Sequence, residues 1–266
     1  MTALLRLNAL WVGGSLGYLE QACLASAVAV GHPVSLYTYH GIANVPAGID
    51  LRDARDVLPE ERLIRNKATG SVALGSDIFR YALMRLGLGC WIDADVYFLK
   101  PLTFGDDTHV FGFEDDQQVC SAILQIPPTS PLLADLLEFV NADPVIPPWW
   151  PLEEQERQRQ LAAQGRALTL EDMPWGTAGP KALTHFIGKN GLTAQVAPRD
   201  VFYHIHWSGA ERLFAPDGRV EDSFTPQTQA IHLWNAMIQR QKNADVDPAS
   251  FIAEICRRQN VALSAA

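Results

Sequence analysis

Hydrophobic positions along the first half of the chain follow two different spacings. Short apolar runs rich in β-branched and aromatic residues indicate buried strands, and apolar residues repeated every three to four positions indicate helices. The succession of strand, helix and strand at the start predicts a βαβ unit, the building block of α/β sheets. The predicted strands of this half cover residues 4–11, 34–38 and 49–51, and the predicted helices cover residues 16–30 and 77–86.

The second half continues this succession with shorter elements. An apolar strand pattern alternates with helical runs, and proline and glycine mark the turns between them. The last predicted helix has Asp247 as its cap and Pro248 as its first residue. The predicted strands here cover residues 109–113, 119–126, 194–197 and 202–207, the predicted helices cover 131–140, 180–187 and 251–256, and residues 229–235 form a further apolar segment.

Residues 143–175 break the pattern. They are rich in proline, contain Trp149, Trp150 and Trp175, and include a charged helical run over residues 152–164. We interpret the segment as a small helical and irregular insertion over the active face of the fold. A surface excursion that carries a packed tryptophan pair is the competing interpretation.

Composition narrows the class of protein. The chain has 266 residues, of which 48% are hydrophobic, which suits a single α/β domain over residues 1–266 with a sizeable core. A net charge of -9 argues against a nucleic-acid partner. No apolar run reaches transmembrane length and no charged segment precedes a long apolar one, so we expect a soluble, cytoplasmic protein. The widely spaced cysteines are expected to be buried free thiols: Cys23, Cys90, Cys120 and Cys256.

Two carboxylates follow the apolar run around Trp91, in the sequence Asp93-Ala94-Asp95. A chain of this length carries about one Asp-x-Asp by chance, and a second one, at Asp245 and Asp247, is present. The first pair differs because it stands at the end of a buried strand, where carboxylates need a cation. Hard cations prefer oxygen ligands and bridge phosphates, so the pair suggests an enzyme that handles a nucleotide diphosphate.

A helix start precedes this strand. Ser76 is the expected cap of a helix that begins at Asp77, and Arg80 lies three positions further, on the same helical face as Asp77. The two side chains are either a surface ion pair or a carboxylate and a bidentate donor beside the metal, where sugar hydroxyls and phosphates need such partners.

With these segments the sequence resembles the DXD glycosyltransferases of family 32 and the related clostridial glucosylating toxins. The resemblance rests on S-D-I-F-R-Y at residues 76–81 and G-C-W-I-D-A-D at 89–95, with looser agreement at L-W-V-G-G (10–14), T-A-G-P (177–180) and I-H-L-W (231–234). It implies a GT-A-type glycosyltransferase fold, which is a Rossmann-like mixed sheet flanked by helices. It also implies Mn²⁺ or Mg²⁺ as the cofactor.

The resemblance assigns the nucleotide-sugar donor to positions in the first third of the chain. Trp11 would stack on the base, with Val12 and Gly13 next to it. Asp77 and Arg80 would hold the donor sugar, and both would take part in catalysis.

It assigns the metal to the strand end and to a late segment. Asp93 would contact the ribose or sugar and the metal site, with Ala94 beside the nucleotide, and Asp95 would bind the metal directly. His232 would complete the metal site. Trp234 would donate its indole N–H to a phosphate oxygen.

Two assignments keep alternatives. His206, which shares a strand face with His204 in the predicted strand, is the rival of His232 as metal ligand. Asp115 and Asp116 are candidates for a base that activates the acceptor, although a solvated acidic turn explains them equally well.

The reaction implied is the transfer of a hexose or N-acetylhexosamine from a nucleotide diphosphate sugar, with UDP favoured, to a hydroxyl of a bacterial glycan or glycolipid. Retention of the anomeric configuration is also implied. The tryptophans of residues 143–175 offer apolar faces to acceptor sugar rings, and peripheral contact with the inner face of the bacterial membrane fits a glycolipid acceptor. A toxin-like enzyme that glycosylates a protein and a non-catalytic sugar-binding module remain as alternatives.

Overall fold

A six-stranded mixed sheet forms the centre of the computed structural model, which describes residues 4–105, 108–216 and 219–263. The strands found in these residues are β1 (Leu7–Leu10), β2 (Val34–Thr38), β3 (Ile49–Asp53), β4 (Cys90–Ile92), β5 (Val96–Phe98), β6 (Val110–Phe113), β7 (Val119–Gln125) and β8 (Ala230–His232). The central sheet has the order β3-β2-β1-β4-β7-β6, and β7 runs antiparallel to both of its neighbours. Strands β5 and β8 pair antiparallel in a separate sheet.

Helices pack against both faces of the central sheet, so its inner strands are buried on both sides. The helices are α1 (Tyr18–Ala29), α2 (Ala73–Arg85), α3 (Pro131–Asn141), α4 (Leu152–Ala163), α5 (Ala182–Lys189), α6 (Arg199–Phe202), α7 (Gln239–Lys242) and α8 (Phe251–Arg258). Successive residues of β4 alternate between two hydrophobic cores. Cys90 and Ile92 belong to the core that contains α1 and α8, and Trp91 belongs to the core that contains α2, α3 and α5. The expected α/β fold with a mixed sheet flanked by helices is confirmed.

Two predicted strands are wrong. Residues 194–197 form a 3-10 turn over Thr193–Gln195 followed by one isolated bridge, from Ala197 to Gly112 of β6. Residues 202–207 contain the end of α6 and one bridge between Tyr203 and Ile231. Val196, Phe202 and Tyr203 are buried by tertiary packing, and a short apolar run does not distinguish such burial from a strand.

Two predicted helix starts are also wrong. Helix α2 begins at Ala73, whose N–H is bonded to the Ser71 side chain, so Ser76 lies inside the helix and not at its cap. Helix α8 begins at Phe251, and Ser250 caps it by accepting from the Ala253 N–H at 3.2 Å. Asp247 instead stabilises the turn before that helix. In both places the sequence offers two side chains that can cap a helix, one turn apart. The sequence pattern favoured the one that does not cap it in the structure.

The tryptophans of residues 143–175 have different surroundings. The Trp149 ring packs against Phe139 at 5.1 Å and His185 at 5.4 Å between ring centroids, and Trp150 packs against the same core. Both side chains are partly buried by this packing. Trp175 is 67% exposed. The charged run folds as helix α4, as predicted.

Two expectations from composition agree with the described residues. All four cysteines are buried and free. Within residues 4–105, 108–216 and 219–263, no helix combines the length and the apolar character needed to cross a bilayer.

Candidate functional site

The ends of β1 and β4 lie side by side because these strands are parallel neighbours. Chain segments that leave such ends meet at one edge of the sheet, which is where ligands bind in open α/β folds. Trp11 follows β1, and Asp93 follows β4. The Asp93 N–H donates to the Ala122 carbonyl at 2.7 Å, and its carboxylate accepts from the Trp91 indole at 2.7 Å. Asp93 is therefore fixed at the sheet edge from both sides.

Pairing of β5 with β8 brings a late segment of the chain to this edge. Val96 faces His232 across the two strands, and the Leu233 N–H donates to the Asp95 carbonyl at 2.9 Å. Asp95 Oδ1 lies 3.2 Å from His232 Nε2, and Oδ2 accepts from the Asn235 N–H at 2.8 Å. Both oxygens of this carboxylate are thus held in place by the segment around β8.

Ligand atoms of Asp93, Asp95 and His232 lie within 4.8 Å of one another. In the part of the chain that the structure describes, this is the one group of three or more such side chains close enough to hold a metal ion. His206 is not part of it: its ring is partly exposed, and Nδ1 is bonded to the Ser208 hydroxyl at 2.7 Å. Of the two histidines considered from sequence, the fold brings His232 to the carboxylates.

For Asp95 and His232, the charge and the hydrogen bonds of their partners together outweigh burial in setting the direction of the pKa shift. Burial favours the neutral form of each group, yet the His232 ring and the Asn235 N–H hold the pKa of Asp95 below its ordinary value. For His232, burial lowers the pKa, and the Asp95 carboxylate more than reverses this and raises it well above its usual range. The pair is an ion pair at neutral pH, and a cation bound between the carboxylates competes with the proton on His232.

Arg80 joins two carboxylates in the interior. Its guanidinium lies 3.4 Å from Asp77 and 3.3 Å from Asp93, and 4.8 Å above the Trp91 ring. It also donates to the Ser121 carbonyl at 2.5 Å. Since Arg80 is only 4% exposed, its main effect is to position the two carboxylates.

Asp77 is a buried carboxyl on helix α2, 7% exposed. Burial raises its pKa to about 7, against the lowering effect of Arg80, and the Asp93 charge raises it further. At neutral pH the group therefore exists in both protonation states, and it can accept a hydrogen bond from a hydroxyl or donate one.

The segment Thr177–Lys181 packs against Asp77. It is a single π-helical turn in which Gly179 has non-helical backbone angles, and the Ala178 carbonyl accepts from the Tyr81 hydroxyl at 2.7 Å. A Cβ atom on Gly179 would stand 2.6 and 2.7 Å from the two Asp77 oxygens. Only glycine leaves the carboxylate room at this position, which gives a physical reason for the glycine in T-A-G-P.

Trp11 and Val12 line a cavity of about 320 Å³ together with Arg80, Asp93 and Asp95. The Trp11 indole N–H donates to the Ser15 carbonyl at 2.9 Å, which fixes the plane of a partly exposed ring. Ala94 also lines this cavity. Gly13 does not line it and lies next to the Trp11 indole.

Trp234 differs from its expected role. Its indole N–H donates to the Ile205 carbonyl at 2.7 Å and so has an acceptor inside the protein in place of a phosphate oxygen. The ring lies 4.0 Å from the His232 ring and is 8% exposed. Trp234 therefore packs behind His232 and fixes its orientation.

No sequence pattern indicated three residues of the site, which are Glu20, Asn235 and Lys242. Glu20 on α1 is fully buried, and its Oε1 accepts from Lys242 Nζ at 2.5 Å and from the Asn235 amide at 2.9 Å. Because the Asn235 N–H also donates to Asp95, this buried ion pair supports the metal-ligand candidate. A glutamate in an alanine-rich helix is ordinarily a surface residue. Its position next to Gly17, which leaves room for the carboxylate, depends on the fold.

In the acidic turn after β6, the buried residue is Glu114, which differs from the two carboxylates considered from sequence. Asp115 Oδ1 accepts from the N–H groups of Gln117 and Gln118 at 2.8 and 2.7 Å, so it stabilises the turn, and Asp116 is exposed. Glu114 is 3% exposed and lines a second cavity of about 550 Å³ with Asp77, Asp93 and His232. Of the three acidic residues, Glu114 is therefore the one buried at the candidate site.

A match to a protein family supports a glycosyltransferase. Residues 169–263 match a family model described as the alpha 1,4-glycosyltransferase conserved region, and this region includes Gly179, His232 and Trp234. Among solved structures the chain is similar to one titled PaToxG Glycosyltransferase, at 12% identity and a TM-score of 0.45, over 71% of this chain and 70% of that one. A search of curated proteins finds no match. The expectation of a glycosyltransferase is confirmed by the family match.

Proposed function

We propose that the chain is a metal-dependent, retaining glycosyltransferase. It would move a hexose or N-acetylhexosamine from a nucleotide diphosphate sugar, with UDP as the favoured nucleotide, to a hydroxyl of a bacterial glycan or glycolipid. The observation that carries this proposal is the convergence of Asp93, Asp95 and His232 within 4.8 Å at the sheet edge. Two partly buried carboxylates beside one buried histidine can hold a cation, and such a site suits a diphosphate.

The chemistry of this group fits Mn²⁺ or Mg²⁺. Carboxylate oxygens are the preferred ligands of both ions, and an imidazole nitrogen favours Mn²⁺ of the two. Asp95 and His232 would bind the ion directly, and Asp93 would complete the set. When bound, the cation neutralises the charge that grows on the departing diphosphate.

Two adjoining cavities support a donor and an acceptor side. The smaller one, lined by Trp11 and Val12, suits a base stacked on the indole and a diphosphate near Asp95. The larger one shares Arg80, Asp93 and Asp95 with the smaller one and adds Asp77. Asp77 would hold a hydroxyl of the transferred sugar, since its raised pKa lets it accept or donate a hydrogen bond.

For the transfer itself we propose a same-face reaction. The bond from the anomeric carbon to the diphosphate oxygen breaks with its electron pair on the diphosphate, and the acceptor oxygen bonds to the same face of that carbon. The acceptor proton passes to the departing oxygen. Arg80 would keep Asp77 and Asp93 in place throughout, because its guanidinium already contacts both.

The test is turnover of a panel of nucleotide sugars with Mn²⁺ or Mg²⁺, measured as release of the nucleotide diphosphate. We expect activity that EDTA abolishes and that Asp95→Asn lowers by roughly a hundred-fold or more. The matched control is Asp245→Ala, which removes an exposed carboxylate of the second Asp-x-Asp and leaves turnover unchanged. Equal turnover in wild type and Asp95→Asn would refute the metal site.

The same assay distinguishes the two alternatives. A sugar-binding module would bind a nucleotide sugar without any release of diphosphate. A toxin-like enzyme would transfer the sugar to protein side chains and not to glycans, which a labelled donor added to cell extract resolves. The complete set of Asp77, Arg80, Asp93, Asp95 and His232 in one place favours an enzyme over a binding module.

For location, the proposal is the cytoplasm, at the inner face of the membrane when the acceptor is a glycolipid. The four buried free thiols are consistent with a reducing compartment.

A further inference from the structure

The larger cavity carries a chemical pattern that the donor site does not require. Trp175 is 67% exposed, Trp207 41% and Met237 52%, and all three line this cavity. Exposed side chains of this size ordinarily mark a surface that a ligand covers. The Trp207 ring packs against the His206 ring, with 4.8 Å between the centroids and a tilt of 39° between the planes.

Other residues that line the cavity are polar. They include Glu114, whose buried carboxylate is bonded to the Gln118 amide, and Ser121, whose carbonyl accepts from Arg80. A cavity that combines aromatic faces with acceptors for hydroxyl groups matches a pyranose ring. Such a ring presents C–H groups on its face and hydroxyls at its edge.

We propose that this cavity is a monosaccharide-binding acceptor subsite. The ring of the acceptor's terminal sugar stacks on Trp207 with Trp175 closing over it, and Glu114 accepts a hydrogen bond from one of its hydroxyls. The inference rests on the proposed function, because the cavity adjoins Asp93 and Asp95, and it adds the class of the acceptor and the residues that select it.

A membrane surface is the other class of partner that exposed tryptophans serve. Charge disfavours it here. The cavity is lined by carboxylates, namely Asp77, Asp93, Asp95, Glu114 and Asp115, and the chain has a net charge of -9. Anionic lipid headgroups are repelled by such a surface, whereas neutral sugar hydroxyls are attracted by it.

The test measures binding directly, without turnover. The intact protein is titrated with methyl glycosides of glucose, galactose and N-acetylglucosamine, and with disaccharides of these sugars, by saturation-transfer NMR and tryptophan fluorescence. We expect at least one glycoside to bind, Trp207→Ala to weaken it roughly ten-fold, and Trp207→Phe to weaken it less because the ring face is retained. Glu114→Gln is expected to weaken it roughly ten-fold as well, through loss of the charged acceptor.

Leu152→Ala is the matched control, because Leu152 is 80% exposed on α4 and does not line the cavity. Its glycoside binding should equal that of wild type, and circular dichroism checks that each variant is folded. The proposal is overturned if no glycoside binds, if binding is indifferent to Trp207, or if Trp207→Ala instead abolishes sedimentation with phosphatidylglycerol vesicles. Glycoside binding without any donor turnover would support this subsite and would refute the proposed function.

Discussion

Removal of the Lys242 charge should destabilise the protein far more than removal of the charge on its partner, Glu20. The Lys242 Nζ atom lies 2.5 Å from Glu20 Oε1, and the Glu20 side chain is 0% exposed while that of Lys242 is 16% exposed. The change Lys242→Met keeps the apolar stem and leaves the Glu20 carboxylate buried with only the Asn235 amide as a partner. Loss of one member of a buried ion pair costs about 3–5 kcal/mol.

The reverse change is milder because the lysine can reach water. In Glu20→Gln the ammonium group is no longer paired, but its partial exposure allows hydration, and we expect a loss of roughly 1–2 kcal/mol. The double variant should resemble Glu20→Gln alone, since the unpaired buried charge is absent from it. The exposed pair of Arg257 and Glu254 provides the control, because Arg257→Met should cost under about 1 kcal/mol.

Urea unfolding at pH 7 in EDTA, followed by circular dichroism, measures each free energy of unfolding. For a chain of 266 residues, the loss expected in Lys242→Met lowers the melting temperature by roughly 5–9 °C. A loss under 1 kcal/mol in Lys242→Met, equal to that of the Arg257 control, would refute the interpretation of Glu20 as a buried charge that depends on Lys242.

Three further predictions concern the site itself. In Gly179→Ala the new Cβ atom displaces the Asp77 carboxylate, so donor turnover should fall at least ten-fold, whereas Gly188→Ala, which has open space around it, should leave turnover unchanged. Because folding raises the pKa of Asp77 from 3.8 to about 7, its ionisation costs stability as the pH rises through that window. Urea unfolding in EDTA should therefore show Asp77→Asn gaining roughly 4 kcal/mol relative to wild type between pH 4 and 8, and a pH-independent difference would contradict the shift. Mn²⁺ titration by calorimetry should show tighter binding at higher pH in wild type, and His232→Ala should lower the affinity at least ten-fold while His206→Ala leaves it unchanged; equal losses in both would contradict the assignment of His232.

Local sequence patterns predicted the parts of the fold that depend on local periodicity. Strand β2 has the predicted bounds, and α3 differs from prediction by one residue, because apolar spacing and a proline at the helix start determine them. Parallel strand order then brings Trp11 and Asp93 to one edge, which the βαβ pattern already implied. This much of the site follows from sequence.

The rest of the site depends on contacts between segments that are distant in the sequence. The register that sets Val96 opposite His232 is chosen by the packing of a two-stranded sheet, and no local pattern encodes it. The resemblance to known glycosyltransferases suggested His232, but it gave no indication of Glu20 or Lys242. For Trp234, the resemblance gave a hydrogen-bond partner that the structure does not show. It assigned the indole N–H to a phosphate oxygen, whereas this N–H donates to the Ile205 carbonyl.

The two-stranded sheet of β5 and β8 also determines when the site comes into existence. Asp95 is made early in synthesis, and His232 and Asn235 follow only after most of the chain. A nascent chain therefore has the carboxylates but not the histidine, so the proposed cation site is complete only when β8 pairs with β5. On the proposed function, a bound cation would favour the paired state by mass action and would join residues 93–95 to the segment around residue 232. The β5–β8 pairing is thus the folding step that completes the candidate site.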